Sequence, residues 1–214
     1  MSASPQRALS PEEYLELERS LPTKHAYFRG EMFAMGGASR EHNLISGNIA
    51  AAIHSQLVAR PCEFYQHDMR VKVSASGLYT YPDVVITCDR PRFEDKELDT
   101  LLNPQVIIEV LSDSTEKYDR GKKFEQYQQI DSLREYLLVA HGYPSVDQHL
   151  RGDDGAWTLR QVRGLDGTVR LPSVECELRL ADVYAKVAFP GDDEQNRAAG
   201  LLSDDESRKA RPGH

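Results

Sequence analysis

Apolar residues recur along this chain in two rhythms, one typical of helices and one typical of strands. Near the start, residues 10–13 (Ser-Pro-Glu-Glu) combine an N-cap serine, a proline at the first helical position and a capping-box glutamate, which predicts a short helix. Side chains alternate between residues 25 and 35, which predicts a strand pair or one bent strand. From Ser39 to Pro61, apolar residues spaced three and four apart predict a long amphipathic helix.

The middle of the chain carries the strongest strand signals. Strands are predicted at 63–66 and 69–73, followed by a Ser/Gly turn at 74–77. Two runs rich in β-branched residues, 81–87 and 104–111, are typical of buried strands. The stretch between these two runs is polar and charged, so residues 88–103 are predicted to form a surface loop.

One more helix and several strands are predicted beyond these runs. Ser114 or Thr115 is a candidate cap for a helix that continues to Ile130. An apolar strand is predicted at 134–140, and weaker patterns at 146–150, 157–162 and 168–171 predict an antiparallel extension with Gly/Asp turns. These elements predict one α/β domain over residues 10–187. Residues 188–214 hold many charges and few large apolar side chains, which predicts a disordered tail.

Composition narrows the class of protein. With 40% hydrophobic and 28% charged residues, the 214-residue chain can bury a core in one domain. No apolar run approaches the roughly 20 residues that span a bilayer, and the N-terminus lacks the apolar core of a signal peptide. We therefore expect a cytoplasmic protein without a membrane partner. The three cysteines lie far apart and form no C-x-x-C pair, which predicts separate thiols in a reducing compartment rather than a disulfide framework.

The net charge of −8 opposes binding to nucleic acid. DNA-binding modules usually carry a basic face, because neutralising phosphates supplies much of their affinity. The predicted tail contributes −2 of this charge, so the remaining domain is still acidic. A nucleic-acid partner therefore requires a local basic strip, a dimer groove or bridging metal ions.

Two acidic residues occupy positions that normally hold apolar side chains. Asp83 precedes Val-Val-Ile, and Glu109 lies between Val-Ile-Ile and Val-Leu. An unpaired buried carboxylate costs several kcal/mol, so such residues are usually paired, hydrogen-bonded or bound to a cation. Two acids on adjacent strands favour a pocket for Mg²⁺ or Mn²⁺, which prefer oxygen ligands. The alternative is a buried salt bridge or a carboxylate that caps backbone amides at a strand end.

Other candidate site residues are basic or lie in the N-terminal half. Lys122 and Lys123 follow the Glu109 strand, and a lysine that points back toward the strand ends can orient a water or stabilise charge on a phosphate. Glu31 is a candidate further metal ligand, and His42 a candidate contact to phosphate or water. Each has a simpler interpretation as a solvated surface residue. The chain lacks G-x-S-x-G, G-x-x-x-x-G-K-[ST], H-E-x-x-H and G-x-G-x-x-G motifs, which argues against the corresponding enzymes and nucleotide-binding proteins.

A set of short motifs, taken in order, resembles the Uma family of restriction-endonuclease-like proteins within the PD-(D/E)XK nuclease superfamily. The resemblance covers about residues 10–187 and is carried by Gly30-Glu31, Glu41-His42, Pro82-Asp83-Val-Val, Val-Ile-Ile-Glu109-Val-Leu-Ser112, Asp119-x-x-x-Lys123-x-x-x-Tyr127 and Glu135-Tyr136-Leu-Leu-Val. It implies a restriction-endonuclease-like core in which helices flank a mixed central sheet, with the metal site where two central strands diverge.

The resemblance also implies an activity and a set of residue roles. Asp83 and Glu109, with the backbone carbonyl of Val110, are expected to hold Mg²⁺ or Mn²⁺ for hydrolysis of DNA phosphodiester bonds. The superfamily pattern has a lysine two positions after Glu109, where this chain has Leu111, and Lys123 matches the position from which this family supplies it. Asp83, Glu109, Lys123 and Glu31 are the expected catalytic residues, and His42 and Lys122 the expected substrate contacts.

Two interpretations of function therefore remain open. The first is a magnesium-dependent endodeoxyribonuclease, for which a homodimer is plausible because two strands of a duplex require two cuts. The second is a catalytically inactive relative that serves as a binding or regulatory protein. The acidic net charge and Leu111 favour the second interpretation, and the coexistence of Asp83, Glu109 and Lys123 favours the first.

Overall fold

The structure is a computed structural model and describes residues 8–189, which form a mixed α+β architecture. The helices are α1 (Pro11–Ser20), α2 (Arg40–Leu57), α3 (Glu116–Tyr118), α4 (Phe124–Tyr127) and α5 (Leu180–Val183), with a π-helical turn (Asp119–Lys123) between α3 and α4. The strands are β1 (His25–Phe28), β2 (Glu31–Ala34), β3 (Glu63–Gln66), β4 (Arg70–Val73), β5 (Leu78–Thr80), β6 (Val84–Thr87), β7 (Thr100–Leu101), β8 (Val106–Val110), β9 (Glu135–Val139), β10 (Ser145–Arg151), β11 (Trp157–Arg163), β12 (Thr168–Leu171) and β13 (Cys176–Arg179).

A six-stranded sheet with the order β11-β10-β9-β8-β6-β3 forms the centre of the fold. Its only parallel pair within the described residues joins β8 to β9, and the other neighbours run antiparallel. A second sheet has the order β2-β1-β5-β4-β7, and β12 pairs with β13 in a third. The central sheet is therefore mixed, as the sequence predicts.

Both faces of the central sheet are buried along β6, β8 and β9. On one face, Ile45, Ile49 and Ile53 of α2 pack in a cluster with Ile108 and the neighbouring strand residues. On the other face, Ile107 packs with residues of the α4 segment and of the second sheet. Because successive side chains of a strand point to opposite faces, Glu109 lies on the same face as Ile107.

The pairing of β6 with β8 positions the two acids. Val84 lies opposite Ile108 in this antiparallel pair. One further step in the same register places Asp83 opposite Glu109, at the end where β6 begins and β8 ends. Opposite residues of an antiparallel pair share a face, so both carboxylates lie on the α4 side of the sheet.

Several predicted elements are confirmed with their caps. The Ser10 hydroxyl accepts a hydrogen bond from the Glu13 backbone N–H at 3.2 Å, and Glu13 Oε2 accepts from the Ser10 N–H at 2.8 Å, which completes the capping box of α1. The predicted pair at 25–35 is the β1–β2 hairpin. The Ser39 hydroxyl caps α2 by accepting from the His42 N–H at 3.1 Å. This cap fixes His42 in the first turn of α2.

Three sequence expectations are wrong in detail. The stretch 88–103 is not wholly a surface loop, since Thr100 and Leu101 form the buried strand β7 beside β4. The helix predicted to reach Ile130 ends at Tyr127 and contains a π turn, and Thr115 makes no side-chain cap bond. Strands β5 and β13 have no counterpart in the predictions, and neither have the pairings of β1 with β5 and of β4 with β7, which join short strands over long sequence separations.

The cysteine expectation is also wrong for two of the three residues. Cys62 and Cys88 form a disulfide. Because Glu63 lies opposite Thr87 in the β3–β6 pair, these cysteines face each other one step beyond the ladder. The separation of 26 residues gave no sign of this pairing in the sequence. Cys176 is a buried free thiol, as expected.

Two further expectations concern the chain as a whole. No helix within residues 8–189 is both long and apolar enough to cross a membrane. The tail predicted at 188–214 lies outside the described residues from position 190 onward.

Candidate active site

Asp83 lies immediately before β6, with its carboxylate turned toward the end of β8. Asp83 Oδ2 accepts a hydrogen bond of 2.7 Å from the Val110 backbone N–H. Asp83 Oδ1 lies 2.9 Å from His42 Nε2. Because an ionised carboxylate only accepts hydrogen bonds, Nε2 of His42 carries the hydrogen in this contact. Asp83 therefore joins the N-terminal turn of α2 to the end of β8.

His67 forms a second support for Asp83. Its backbone N–H donates to the Asp83 carbonyl at 3.0 Å, and its Nδ1 lies 3.6 Å from Asp83 Oδ1. His67 Nε2 lies 3.1 Å from the side-chain amide nitrogen of Gln66, which can only donate. This contact leaves Nε2 as an acceptor and puts the hydrogen on Nδ1, toward Asp83. The residue has a φ of 58°, in the left-handed region that non-glycine residues seldom adopt.

The histidines determine the charge state of Asp83. Burial raises the pKa of the Asp83 carboxyl, but the hydrogen bonds from His42 and His67 outweigh it and hold this pKa well below its usual value. Burial lowers the pKa of His42, and the neighbouring Asp83 outweighs that effect and raises it. Asp83 is therefore a carboxylate throughout the neutral pH range.

Glu109 of β8 is buried, and its environment differs from that of Asp83. Its Oε1 accepts from the Tyr127 hydroxyl at 2.9 Å and from Lys123 Nζ at 2.8 Å. Burial raises the pKa of Glu109 to about 7, against the lowering effect of Lys123. Its Oε2 makes no hydrogen bond within residues 8–189, so this oxygen keeps its lone pairs for another ligand.

The π turn between α3 and α4 supplies the ammonium group. Lys123 Nζ also lies 3.1 Å from Asp119 Oδ1, and both side chains are buried. Burial lowers the pKa of Lys123, but Glu109 and Asp119 outweigh it and raise this pKa, so the amine stays charged. An ammonium group has three donors, and the two acids use two of them. The third remains for a water or an anionic oxygen.

Lys123, rather than the residue two positions after Glu109, lies beside this acid, and its catalytic role stays a prediction. Leu111 stands where the superfamily pattern has lysine, and its side chain is buried in the apolar cluster that includes Tyr127 and Ile130. The Lys123 side chain reaches Glu109 from the following helix instead. A one-turn π insertion of this kind is frequent at functional sites, because it redirects side chains without ending the helix.

The residues around Asp83 and Glu109 fit a hard divalent cation. Within residues 8–189, no group of three His, Cys, Asp or Glu side chains is arranged to hold a metal ion. A metal ion at this site would therefore be held by two side chains and a backbone carbonyl. Leu111 N–H donates to the Val139 carbonyl of β9, whereas Val110 N–H donates to Asp83 on the opposite side of β8. The N–H and C=O of one strand residue point to the same side, so the Val110 carbonyl also faces Asp83. Two carboxylates and one carbonyl suit Mg²⁺, which is commonly held by one or two carboxylates with water and phosphate completing its shell.

The structure does not bring Glu31 or Lys122 into this cluster. Glu31 pairs with Phe28 at the turn end of the β1–β2 hairpin, and its side chain is exposed. The other end of the hairpin approaches the site, since Lys24 Nζ lies 3.0 Å from the His67 carbonyl oxygen. Lys122 is exposed on the π turn and makes no ion pair within the described residues. Their proposed roles in catalysis and in substrate binding stay predictions.

Two site residues were missed by sequence reasoning. His67 lies in the polar Gln66-His67-Asp68 segment between two strands, where it resembles an ordinary turn residue. Asp119 belongs to the quoted motif but was given no role, although its spacing of four from Lys123 is the one signal for their contact. His67 carries no such signal, because its partner Asp83 is reached only through the β3–β6 pairing.

Comparison with known proteins identifies the family of this chain. Residues 11–182 match the Uma2 family, which is described as "Putative restriction endonuclease". The uncharacterized Synechocystis protein slr1290 is 36% identical over 187 residues, which cover 87% of this chain and 97% of the relative. A second uncharacterized Synechocystis protein, sll1609, is 32% identical over 158 residues, which cover 74% of this chain and 89% of the relative.

A solved structure shows the same fold. The crystal structure of a protein from Anabaena variabilis, described as a putative nuclease belonging to DUF820, superposes with a TM-score of 0.67 and 16% identity. The match covers 84% of this chain and 99% of that chain. The fold is therefore nuclease-like and of the restriction-endonuclease type, as the sequence resemblance implies.

Proposed function

Because the chain belongs to the Uma2 family of restriction-endonuclease-like proteins, we propose that it is a metal-dependent endonuclease that hydrolyses DNA phosphodiester bonds. The observation that carries this proposal is the contact of 2.8 Å between Lys123 Nζ and Glu109 Oε1, beside Asp83 on the paired strand. Two carboxylates at the ends of the paired strands β6 and β8, with an ammonium group beside them, can hold a metal ion and assist phosphoryl hydrolysis.

The residues that would hold the ion are Asp83, Glu109 and the carbonyl of Val110. When bound, a divalent ion would lower the pKa of a coordinated water and neutralise charge on the phosphate. Asp83 is already ionised at neutral pH, because His42 and His67 hold its pKa low. Glu109 offers its free Oε2, while Tyr127 and Lys123 hold Oε1. The chain thus presents one carboxylate oriented by histidines and one oriented by a hydroxyl and an ammonium group.

Lys123 and His42 act on the water and the phosphate rather than on the ion. Lys123 has one donor left after its bonds to Glu109 and Asp119, and this N–H can hold the attacking water or a phosphate oxygen. His42 lies in the first turn of α2, where backbone N–H groups and the positive end of the helix dipole favour an anion. We therefore assign His42 two tasks, holding Asp83 and facing the phosphate.

DNA is the proposed partner, and a homodimer is the proposed assembly. The acidic charge of −8 disfavours broad contact with a duplex, so affinity has to come from the metal ion and from local cations. A duplex has two strands to cut, and two copies of this chain would supply two pockets.

A second function is favoured by one feature of the same cluster. Lys123 already neutralises much of the charge of Glu109 and Asp119, so the three groups also form a self-contained buried ion network. A binding or regulatory protein that has lost catalysis would keep such a network for stability. This alternative expects no cleavage and no metal binding.

Cleavage assays separate the two functions. Single- and double-stranded DNA are incubated with Mg²⁺ or Mn²⁺ and either the wild type, Glu109→Gln or the control Glu125→Gln. Glu125 is an exposed residue of α4, close in sequence to Lys123 and outside the cluster. We expect metal-dependent cleavage by the wild type and the control and none by Glu109→Gln. Equal cleavage by all three proteins would indicate a contaminating nuclease and overturn the proposal.

A further inference from the structure

Tyrosine hydroxyl groups in this fold are almost all used by the protein itself. All ten tyrosines lie within residues 8–189, and eight of them donate the hydroxyl hydrogen to a carbonyl or carboxylate oxygen. The other two, Tyr118 and Tyr143, make no such bond within that range, and their side chains are 44% and 54% exposed. Large exposed aromatic side chains without a structural partner are candidates for contacts to a ligand.

Of these two tyrosines, Tyr118 is the one on the segment that carries side chains of the candidate active site. Tyr118 directly precedes Asp119 in the helical segment that supplies Lys123. The neighbouring Asp119 is buried with its carboxylate 3.1 Å from Lys123 Nζ, whereas the Tyr118 side chain is 44% exposed, so the ring lies at the outer edge of this cluster. Tyr143 lies outside this segment, in the connection between β9 and β10.

Two exposed lysines lie on the same segment as this ring. Lys117 and Lys122 are exposed and form no ion pair within the described residues. In contrast, Arg120 between them is held by Glu116 and Asp147. The segment therefore offers an exposed aromatic ring and two unpaired cations in a chain that is acidic overall. Two exposed acids, Asp113 and Glu125, border the same segment.

We propose that Tyr118 stacks on an unpaired base next to the phosphate held in the pocket, so that the preferred substrate is single-stranded or frayed DNA. This inference rests on the proposed function. A base has its π-face free only when it is out of the duplex stack, and every base offers such a face, so this contact selects unpaired strands without selecting a sequence. Lys117 and Lys122 hold the flanking phosphates, which explains why their charges are left unpaired.

The test measures binding rather than cleavage, so that it does not depend on turnover. A fluorescein-labelled single strand, the matching blunt duplex and the same strand with abasic sites are titrated with protein and followed by fluorescence anisotropy. Ca²⁺ replaces Mg²⁺, because it takes the same oxygen ligands in a looser geometry. The proteins are the wild type, Tyr118→Leu, Tyr118→Phe and the control Tyr143→Leu.

We expect the wild type to bind the single strand more tightly than the duplex. Loss of one stacked base weakens binding about 5- to 100-fold, so Tyr118→Leu is expected to lose that much affinity for the single strand. Tyr118→Phe keeps the ring and should bind like the wild type, as should Tyr143→Leu. On the abasic strand, the wild type and Tyr118→Leu should bind equally.

Three outcomes would overturn the inference. They are equal affinity of the wild type and Tyr118→Leu for the single strand, an equal loss in Tyr118→Phe, and tighter binding of the duplex. The abasic strand removes the base instead of the tyrosine. It therefore tests stacking with the wild-type protein, without a variant that could misfold. If metal-dependent cleavage persists while Tyr118→Leu binds normally, only this inference is wrong. If the wild type binds no DNA, the proposed function is wrong with it.

Discussion

Lys123 Nζ lies 2.8 Å from Glu109 Oε1, so the ammonium group stands beside this acid although Leu111 occupies the strand position of the pattern's lysine. The same nitrogen lies 3.1 Å from Asp119 Oδ1. Glu109, Asp119 and Lys123 therefore form one buried network of charges between β8 and the π turn. Its stability, its proton affinity and its response to metal can each be measured.

Removal of the ammonium group should destabilise the metal-free protein. Lys123→Met leaves two buried carboxylates without their cation, and breaking a buried ion pair in this way costs about 3 kcal/mol of unfolding free energy. Urea denaturation in EDTA measures this loss. Lys122→Met is the matched control, because Lys122 is exposed on the same turn. If the Lys123→Met variant is as stable as the wild type, Lys123 does not stabilise the two buried carboxylates.

The stability of the metal-free protein should fall as the pH rises from about 4.5 to about 7. Burial raises the pKa of Glu109 to about 7 in the folded state, so the folded protein binds this proton more tightly than the unfolded chain. Stability from this group is complete below the unfolded pKa and is lost as the pH rises through the folded value. Asp83 acts in the opposite direction, because its lowered pKa adds stability that is lost only in acid. The difference between wild type and Glu109→Gln in EDTA isolates the first effect, and a pH-independent difference would contradict it.

Metal binding should release a proton in the same pH range. A ligating carboxylate must be ionised, so near pH 6 the ion displaces most of the proton on Glu109, and well above pH 7 it displaces almost none. Calorimetric titration of Mn²⁺ in two buffers of different ionisation enthalpy counts the protons. Glu109→Gln should remove the pH dependence together with most of the affinity. Equal proton release at both pH values would place the ion elsewhere.

Loss of His42 should weaken metal binding without unfolding the protein. Its Nε2 orients Asp83 Oδ1 at 2.9 Å, and groups that orient a ligating carboxylate typically contribute about 10-fold or more to metal affinity. We expect this loss in His42→Ala by Mn²⁺ calorimetry. His54→Ala is the control, since His54 is exposed in the last turn of the same helix. Tighter binding by His42→Ala would mean that the imidazole competes with the ion for Asp83.

Reduction of the disulfide between Cys62 and Cys88 should destabilise the fold. The bond closes a loop between residues 26 positions apart, and a crosslink of that span contributes about 3 kcal/mol in the loop-entropy model. Unfolding with and without reductant measures it, and Cys176→Ser is the control. In unfolded, unreduced protein, a thiol reagent should label Cys176 alone. Labelling of all three cysteines before reduction would show that the disulfide is not formed.

Local signals in the sequence predicted much of the fold. Capping residues such as Ser10 and Ser39 and the apolar spacing of α2 depend on neighbours a few residues away, and these elements are confirmed. The β1–β5 and β4–β7 pairings of the second sheet join short strands over long separations, so no local pattern marks them. The disulfide was missed for the same reason, since Cys62 and Cys88 meet only through the register of β3 and β6.

The candidate site was predicted to a similar extent. Asp83 and Glu109 stood out because carboxylates are rare in buried strands, and the structure places them opposite each other. Lys123 was identified by resemblance, and the helix direction then brings it to Glu109. Glu31 looked equivalent in sequence but belongs to a hairpin whose turn points away from the site. The pairing of strands determines how far Glu31 lies from the site, and the residues next to Glu31 in the sequence do not reveal that pairing.

The central claim is that Glu109 and Lys123, beside Asp83, act as one catalytic unit, and a double-mutant cycle of cleavage rates at Glu109 and Lys123 tests it most directly. Single-turnover cleavage of single-stranded DNA with Mn²⁺ is compared for the wild type, Glu109→Gln, Lys123→Met and the double variant. Residues of one catalytic unit are strongly non-additive. We predict that each single change removes nearly all cleavage and that the double variant is no slower than the slower single variant. Equal rates for all four proteins, or losses that simply multiply in the double variant, would contradict the claim.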